Sequence, residues 1–490
     1  MKRFYLVWVM IFYLGTLYGY RFCHAVSFAA GWDQVDFSLA ISEYDLIKMQ
    51  PHFPGYPFFI LGGMLFFTFI KNPPEALSIL NMTMMLLTTI PLFFLARHYL
   101  SVNKAALTVM ILQSVSYIAV MTGQPMSEGA ALAIIPWYLW SLSAAMKKDK
   151  VAIGFIPAIL LGLLLGVRLS YVVFAAGLIF QWLALFKKQG RKAVPKILVY
   201  CFIALMAQLV WVSALAFSTG GFAYLFQLAF GFTEGHFSDW GGTAAVQADP
   251  FWETLFLLIG RNLLWVGLGS GNVIVFIISM VLAVIAVFKF KNARDLKRNP
   301  QLILMVLLGA FYFLWALFAQ NIDKPRHILP LLMLLVFFIA VISLRNSGKL
   351  VNVLIGLFIL AQTLTGLYYV RKQAEEIPAM YQLASYLEQK EEKFIVYTWE
   401  ETRVFQYLEM PFSHKRIYTY PLFLQDIKNR EGASIYVTGK AVDGFKQQGA
   451  KVEEEFVKVS EFHSEPIFDP VYHHIVLYKW NKDPGGELDE

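Results

Sequence analysis

The chain has 490 residues, of which 58% are hydrophobic and only 15% are charged. Soluble proteins carry about a quarter charged residues, so this composition excludes an ordinary soluble protein and predicts a polytopic membrane protein. The formal net charge of +7 does not indicate nucleic-acid binding. Its Lys and Arg residues fall in short clusters between apolar runs, where they orient membrane spans. With only Cys23 and Cys201 present, neither a disulfide framework nor a cysteine metal site is expected.

The first predicted element is a membrane span over residues 4–22. An apolar run of about 20 residues crosses the hydrocarbon core. Lys2 and Arg3 precede it, and it has no clear small-residue cleavage motif, which predicts a retained signal anchor. The positive-inside rule then puts the N-terminus in the cytoplasm and the next loop outside.

That next loop, residues 31–57, is polar, proline-rich and acidic. It carries Asp33 and Asp36 near its start and His52 near its end. A charged group close to hydrocarbon is costly unless it faces water, so these acids are candidates for function. The alternative is that they only cap a helix or form a turn.

The loop reads Trp-Asp-Gln-Val-Asp-Phe at 32–37 and His-Phe-Pro-Gly-Tyr-Pro at 52–57. This resembles the first external loop of GT-C membrane glycosyltransferases, in particular the protein O-mannosyltransferases and their bacterial relatives, where the pattern is similar to WDSGEF and HPPGYPL. Asp36 stands where that branch often has Glu, Phe53 replaces the first proline, and a few residues are inserted between the two parts. The resemblance extends more weakly over residues 1–370 and implies a GT-C-like fold.

Residues 58–70 are apolar but too short for a confident span, and counting them would place Arg97, His98 and Lys104 outside. We therefore predict a juxtamembrane helix over 55–70 within an external loop at about 23–76. Further spans bring the total to about eleven, with an external C-terminus. They are predicted at residues 77–96, 104–121, 130–146, 152–167, 170–186, 195–217, 270–290, 301–320, 328–344 and 350–370.

A second long external segment is predicted over residues 218–262. Its amphipathic run at 222–232 favours a helix at the membrane interface, which would close over a substrate. A plain connecting loop is the alternative. His236 and Asp239 follow as candidate cavity residues, but two such side chains do not define a metal site, and none is assigned.

A short basic loop lies between two late spans and contains Lys324, Arg326 and His327. Basic residues outside are exceptions to the positive-inside rule, and an anionic ligand would explain them, because Arg offers a fork of donors matched to phosphate. Contact with lipid headgroups is the alternative. Residues 326–330, Arg-His-Ile-Leu-Pro, also resemble the Arg-aromatic-x-Leu-Pro pattern of a late external loop in many GT-C enzymes.

Two further charged residues, Glu128 and Arg168, stand at predicted outer ends of spans. Both are expected either to face the same cavity or to form a structural ion pair.

Beyond residue 371 the charge density rises to that of soluble proteins. A helix at 379–391 and strand-like runs at 394–397, 434–437 and 474–478 predict an external α/β domain over 372–490, next to a membrane module over 1–371. No glycine-rich phosphate loop or nucleophile motif is present, so nucleotide binding is unsupported. Acceptor recognition or capping of the membrane module is expected of this domain.

Together with the resemblance, these features predict a glycosyltransferase of the bacterial plasma membrane and cell envelope. It would move a sugar from a polyprenyl-phosphate donor to an acceptor that is a protein, a polymer or a lipid. Asp33 would be the general base, and Asp36 would either orient the acceptor or exchange roles with Asp33. The donor phosphate would be held by Lys324, Arg326 and His327, with His52 assisting.

The resemblance also implies direct transfer with inversion at the anomeric carbon. No cofactor is assigned; a divalent cation stays open, since some similar GT-C branches use one. The partners expected are the lipid-linked donor, the acceptor and membrane lipids, and not nucleic acid. A transporter or flippase of lipid-linked glycans is the main alternative, and a non-catalytic scaffold is a third.

Overall fold

The computed structural model describes residues 4–148, 150–238, 250–430 and 432–481. The chain forms two compact units. The first, which we call the membrane unit, comprises Met1–Ser27 and Ala40–Ala374. The second, the C-terminal unit, comprises Phe28–Leu39 and Glu375–Glu490. Part of the acidic segment therefore clusters with the C-terminal residues, although the sequence predicted a single boundary near residue 371.

The described part of the membrane unit is mainly helical, with a longer non-helical connection over residues 43–56. Its helices are Tyr5–Cys23, Pro57–Phe67, Pro73–Leu87, Thr89–Arg97, Val102–Ser114, Ser116–Thr122, Ser127–Lys147, Val151–Val167, Leu169–Ala175, Ala176–Gln189, Gly190–Ala193, Val194–Ser218, Phe222–Ser238, Phe251–Phe256, Leu257–Leu268, Val273–Lys291, Arg294–Lys297, Pro300–Ala319, Pro325–Ile328, Leu329–Leu344 and Lys349–Glu375. The segments Leu169–Ala175, Gly190–Ala193 and Pro325–Ile328 are 3₁₀ turns, and Leu257–Leu268 is a π-helix.

By length and composition, nine helical segments among the described residues are candidates to cross a membrane, or ten if the bent pair Val102–Ser114 and Ser116–Thr122 counts as one span. The predicted spans 170–186 and 195–217 lie within one 50-residue helical segment, Leu169–Ser218. Val151–Val167, with 17 residues, is shorter than the candidates. These helices confirm the predicted polytopic α-helical class.

Several helices lie in regions predicted as external loops, among them Trp32–Ser42 and Phe222–Ser238. Pro57–Phe67 has 11 residues and agrees with the short helix predicted at 55–70. Phe251–Leu268, by contrast, is long and apolar enough to be a candidate span, although the sequence analysis placed its first part in the loop 218–262. Its apolar run is interrupted by Glu253, Arg261 and Asn262, and for this reason the sequence did not predict a span there.

Several helices begin at asparagine caps. The Asn72 side chain accepts a hydrogen bond from the Glu75 amide, and Pro73 occupies the first helical position. Asn272 and Asn299 cap the helices that begin at Val273 and Pro300 in the same way. Such caps satisfy amides that have no partner within the helix, and each contributes about 1 kcal/mol to its stability.

The C-terminal unit is an α/β fold around one five-stranded sheet. The strands are β1 (Phe394–Thr398), β2 (Ser413–Arg416), β3 (Ser434–Thr438), β4 (Phe456–His463) and β5 (His474–Trp480). The sheet order is β2-β1-β3-β5-β4; β1 is parallel to β2 and β3, whereas β5 is antiparallel to β3 and β4. The helices are Ala379–Glu388, Glu401–Tyr407, Tyr420–Ile427, Gly439–Gln447 and Val452–Glu455. The α/β prediction is confirmed, while β2 and β4 went unpredicted.

Residues 28–39 complete one hydrophobic core of the C-terminal unit. Ala29 and Val35 are fully buried in the cluster that contains Leu383, Val396 and Leu477. The prediction of a loop over residues 31–57 is wrong for its first part, because Trp32–Ser42 is helical. Val35 packs on this core and so fixes which face of the helix is buried.

Candidate active site

An ion cluster in the membrane unit joins Glu128 and Arg168, for which the sequence left an ion pair as one alternative, to Arg326 of the basic loop. Glu128 Oε1 lies 3.1 Å from Arg168 Nη2 and 2.8 Å from Arg326 Nε. Arg168 also donates from Nη1 to the Ser127 hydroxyl at 2.9 Å. The Glu128 side chain is only 1% exposed, against 10% for Arg168 and 21% for Arg326. A single buried carboxylate thus holds two guanidinium groups, and we call these three residues the arginine cluster.

Local structure explains how each member of the arginine cluster is presented. Glu128 lies in the first turn of Ser127–Lys147, where a helix N-terminus favours a negative charge. Arg168 follows the last residue of Val151–Val167 in an extended conformation. Arg326 lies in the 3₁₀ turn that precedes a long apolar helix. All three positions are helix ends, which is where an apolar unit can present charge.

Tyrosines that the sequence analysis did not select surround the arginine cluster. The Arg168 guanidinium lies 6.0 Å from the centre of the Tyr171 ring, and Tyr171 packs edge-on against Tyr312. The Tyr312 hydroxyl donates to the His327 carbonyl at 2.9 Å and so anchors the basic loop. Tyr117 lies close enough to Arg326 and Glu128 to interact with both electrostatically. Their only sequence signal is a tyrosine within an apolar span.

The His-Phe-Pro-Gly-Tyr-Pro segment also belongs to this region. His52 Nε2 lies 3.0 Å from the Tyr56 hydroxyl and its ring stacks on Phe232 at 6.1 Å. Tyr56 in turn is an electrostatic neighbour of Arg168. Gly55 has a φ of +85°, and a Cβ there would come within 2.8 Å of Leu215, so only glycine suits the turn.

Lys324 lies near the helix Phe222–Ser238, which the sequence predicted to lie at the membrane interface. His236 Nε2 is 3.2 Å from the Ala319 carbonyl. Burial lowers the pKa of His236, the carbonyl contact acts in the opposite direction, and nearby Lys324 lowers it further. The helix Phe222–Ser238 is longer than the run predicted at 222–232. Asp239 lies outside the described residues.

In the C-terminal unit, Asp36 forms a buried ion pair that the sequence did not predict. The Arg403 Nε donates to Asp36 Oδ1 at 2.7 Å, and the Asp36 side chain is 0% exposed. Asp33, one helical turn earlier, is only partly buried. The two acids of the motif are therefore in different environments.

Trp32, the first residue of the motif, also contacts arginines of the C-terminal unit. The Arg416 guanidinium lies 4.7 Å from the Trp32 ring and 4.6 Å from the Trp399 ring, and Arg403 lies 5.7 Å from Trp32. Such cation–π contacts orient the ring and the helix that follows it. The aromatic and acidic residues of the motif thus anchor the helix that carries Asp33.

Solved structures share the fold of this chain. ArnT from Cupriavidus metallidurans bound to undecaprenyl phosphate matches with a TM-score of 0.58 at 12% identity, over 97% of this chain and 98% of that one. The Archaeoglobus fulgidus oligosaccharyltransferase in the apo form matches with a TM-score of 0.55 at 12% identity, over 89% and 70% of the two chains. AglB from the same organism, in complex with an inhibitory peptide and a dolichol-phosphate, matches with a TM-score of 0.50 at 11% identity, over 99% and 75%.

The long apolar helices and the shared fold show an integral membrane protein with the fold of these structures. Within it, residues 51–216 match the family model described as dolichyl-phosphate-mannose-protein mannosyltransferase. The matched segment contains His52, Glu128 and Arg168. The sequence search matched none of the curated proteins.

Proposed function

We propose that this protein transfers a sugar from a polyprenyl-phosphate donor to an acceptor on the outer side of a bacterial plasma membrane. The observation that carries the proposal is the arginine cluster, in which two guanidinium groups converge on the single buried carboxylate of Glu128. Among themselves the three side chains carry one net positive charge. Guanidinium groups present five N–H donors each in rigid forks that suit phosphate oxygens.

The donor phosphate is assigned to Arg326, with Lys324, His327 and His52 as assisting groups and Arg168 behind them. The phosphate carries more negative charge when the sugar leaves than when the sugar is attached. Donors already fixed by Glu128 therefore stabilise the departing group without reorganisation, which lowers the barrier. The undecaprenyl phosphate in the ArnT structure and the dolichol-phosphate in the AglB structure are in line with a lipid phosphate ligand.

We assign the general base to Asp33 and a positioning role to Asp36. A base must accept a proton from the acceptor hydroxyl, and the partly exposed Asp33 is better suited to that than a fully buried acid. Asp36 is held by Arg403 and fixes the helix one turn after Asp33. This role differs from the sequence expectation, in which Asp36 orients the acceptor or exchanges roles with Asp33.

In the proposed reaction the acceptor oxygen attacks the anomeric carbon while its proton passes to Asp33. The bond between that carbon and the phosphate oxygen breaks, and its electron pair leaves with the polyprenyl phosphate. Attack opposite the leaving group inverts the anomeric carbon. The proposal places the N-terminus in the cytoplasm and the C-terminal unit outside, as the charge distribution predicts.

The test is transfer of radiolabelled sugar from a panel of polyprenyl-phosphate sugars in proteoliposomes. Asp33→Asn should slow transfer by about 10²- to 10⁴-fold, because a general base contributes that much, while donor binding is kept. Arg326→Ala should weaken donor binding by about 10- to 100-fold through the loss of charge-assisted hydrogen bonds.

Two variants serve as matched controls. Asp443→Asn changes an exposed acid of the C-terminal unit, and Arg345→Ala removes an arginine that pairs with Asp295. Both should retain transfer. If Asp33→Asn also retains it, the assignment of the base is wrong. If no donor is consumed and labelled lipid crosses the bilayer instead, the protein is a transporter of lipid-linked glycans.

A further inference from the structure

Three side chains with metal-binding chemistry meet on the last two strands of the C-terminal unit. Glu461 and His463 are two residues apart on β4, so both project from the same face of the strand. His474 begins β5 and lies directly opposite His463 in the antiparallel register. Cross-strand neighbours on one face are close enough to share a ligand.

The ligand atoms are spaced for a small cation. Glu461 Oε2 is 3.2 Å from His474 Nε2 and 3.9 Å from His463 Nε2. One candidate ligand atom from each of the three residues lies within 4.8 Å of the others. Tetrahedral zinc with ligands at about 2.0–2.1 Å separates its ligand atoms by roughly 3.4 Å. Small rotations of these exposed side chains would close the remaining difference.

Hydrogen bonds to the main chain hold the strand ends that carry the two histidines. The His463 carbonyl accepts a hydrogen bond from Gln382 Nε2 at 2.7 Å, and the Ser464 amide donates to the His473 carbonyl at 2.7 Å. The two imidazole rings are nearly parallel, with centroids 4.3 Å apart. The histidines are therefore already paired before any metal binds.

We propose that Glu461, His463 and His474 bind a Zn²⁺ ion on the surface of the C-terminal unit. Two imidazole nitrogens and one carboxylate oxygen are ligands that zinc accepts, and water would complete a tetrahedral set. The ion would join the edge strand β4 to β5 and so stabilise that end of the sheet. The site does not depend on the proposed glycosyl transfer.

One cation competes for the site. Lys458 Nζ donates to Glu461 Oε2 at 2.8 Å. Its side chain is 52% exposed, so it can turn into solvent when zinc arrives. Removing this lysine should tighten zinc binding, because it frees the carboxylate and removes a neighbouring positive charge.

The experiment uses the full-length protein in detergent, purified without a polyhistidine tag and stripped with a chelator. Calorimetric titration with Zn²⁺ should show one saturable site per chain, and Co²⁺ should give the absorption of a tetrahedral complex at the same stoichiometry. His474→Ala and Glu461→Gln should each weaken Zn²⁺ binding by more than about tenfold, since even outer-shell changes at metal sites cost 10- to 100-fold. Lys458→Met should strengthen it.

His473→Ala is the matched control. His473 neighbours His474, but its Nδ1 lies 3.1 Å from the Pro470 carbonyl and it is not among the three grouped residues. Its loss should leave zinc affinity unchanged. The proposal is overturned if no saturable binding is seen, or if His474→Ala and Glu461→Gln bind zinc as tightly as the unmodified protein.

Discussion

The two units bury arginine beside carboxylate in different proportions. In the membrane unit, Arg168 and Arg326 share the single carboxylate of Glu128. In the C-terminal unit, the Asp36 carboxylate is paired with the Arg403 guanidinium. The first arrangement concentrates positive charge, which suits an anionic ligand, whereas the second neutralises charge and serves to hold a helix.

Buried ion pairs therefore serve different purposes in the two units: one favours an anionic ligand and the other holds a helix. In a pair of one positive and one negative charge, each group neutralises the other. Removing either partner leaves a buried charge. A carboxylate shared by two guanidinium groups leaves a net positive charge among the three side chains, which favours an anionic ligand. The predictions below separate these two cases.

The largest effect on stability is expected at Glu128, because it has two arginine partners. Glu128→Gln should lower the free energy of unfolding in detergent by about 3–5 kcal/mol, since both guanidinium groups lose their buried counterion. Added undecaprenyl phosphate should restore part of the loss by mass action. Glu253→Gln, at an exposed helix position, is the control. Equal stability of Glu128→Gln and Glu253→Gln would contradict the charge argument.

A slightly smaller effect is expected for Asp36→Asn. It should destabilise the C-terminal unit by about 3 kcal/mol, because the asparagine oxygen can still accept a hydrogen bond from Arg403. Hydrogen-exchange mass spectrometry of peptides from β1 and β3 in the full-length protein would measure the change.

Added polyprenyl phosphate should not restore the stability lost in Asp36→Asn, whereas it should restore part of the stability lost in Glu128→Gln. In a double-mutant cycle with Arg403→Met, the combined loss should be smaller than the sum of the two single losses. Additive losses would mean that the pair is not coupled.

A third change tests the aromatic contacts of Arg416. Its guanidinium lies 4.7 Å from the Trp32 ring, 4.6 Å from Trp399 and 4.8 Å from Tyr418. Arg416→Lys should cost about 1–2 kcal/mol, because lysine cannot stack a planar group between rings. Hydrogen exchange of the helix that begins at Trp32 would measure this loss of stability. Lys415→Met, at an exposed ion pair, should change protection by less than about 1 kcal/mol.

The smallest effect is a pH dependence confined to the C-terminal unit. Burial lowers the pKa of His414, so the unfolded chain binds a proton at a higher pH than the folded one. Stability should therefore fall as the pH drops below about 6.5, the ordinary histidine value. Burial raises the pKa of Glu401, which gives a slope of the opposite sign above the usual glutamate pKa.

Comparing unmodified protein with His414→Gln isolates the histidine contribution, because Glu401 is common to both. Their difference in protection against hydrogen exchange should change as the pH drops below about 6.5 and be constant above about pH 7, where the neutral imidazole keeps its contact with Thr402. A difference that is independent of pH would mean that His414 does not titrate between the folded and unfolded states.

Much of the fold followed from local patterns. Apolar runs of about 20 residues predict spans because each must bury its own backbone hydrogen bonds in hydrocarbon. The runs at 394–397, 434–437 and 474–478 became β1, β3 and β5 because they are rich in β-branched and aromatic residues. The strand β2, with the sequence Ser-His-Lys-Arg, carries no such signal and forms only by pairing with β1.

The candidate site divides in the same way. Composition and charge patterning placed the protein in a membrane and marked Asp33, Glu128, Arg168 and Arg326, because the cost of a charge near hydrocarbon depends on its immediate sequence. Tertiary structure alone decided that Glu128 meets both arginines, and that Asp36 pairs with Arg403 across 367 residues of chain. Partners so distant in sequence are chosen by the packing of whole elements, and no local pattern contains that information.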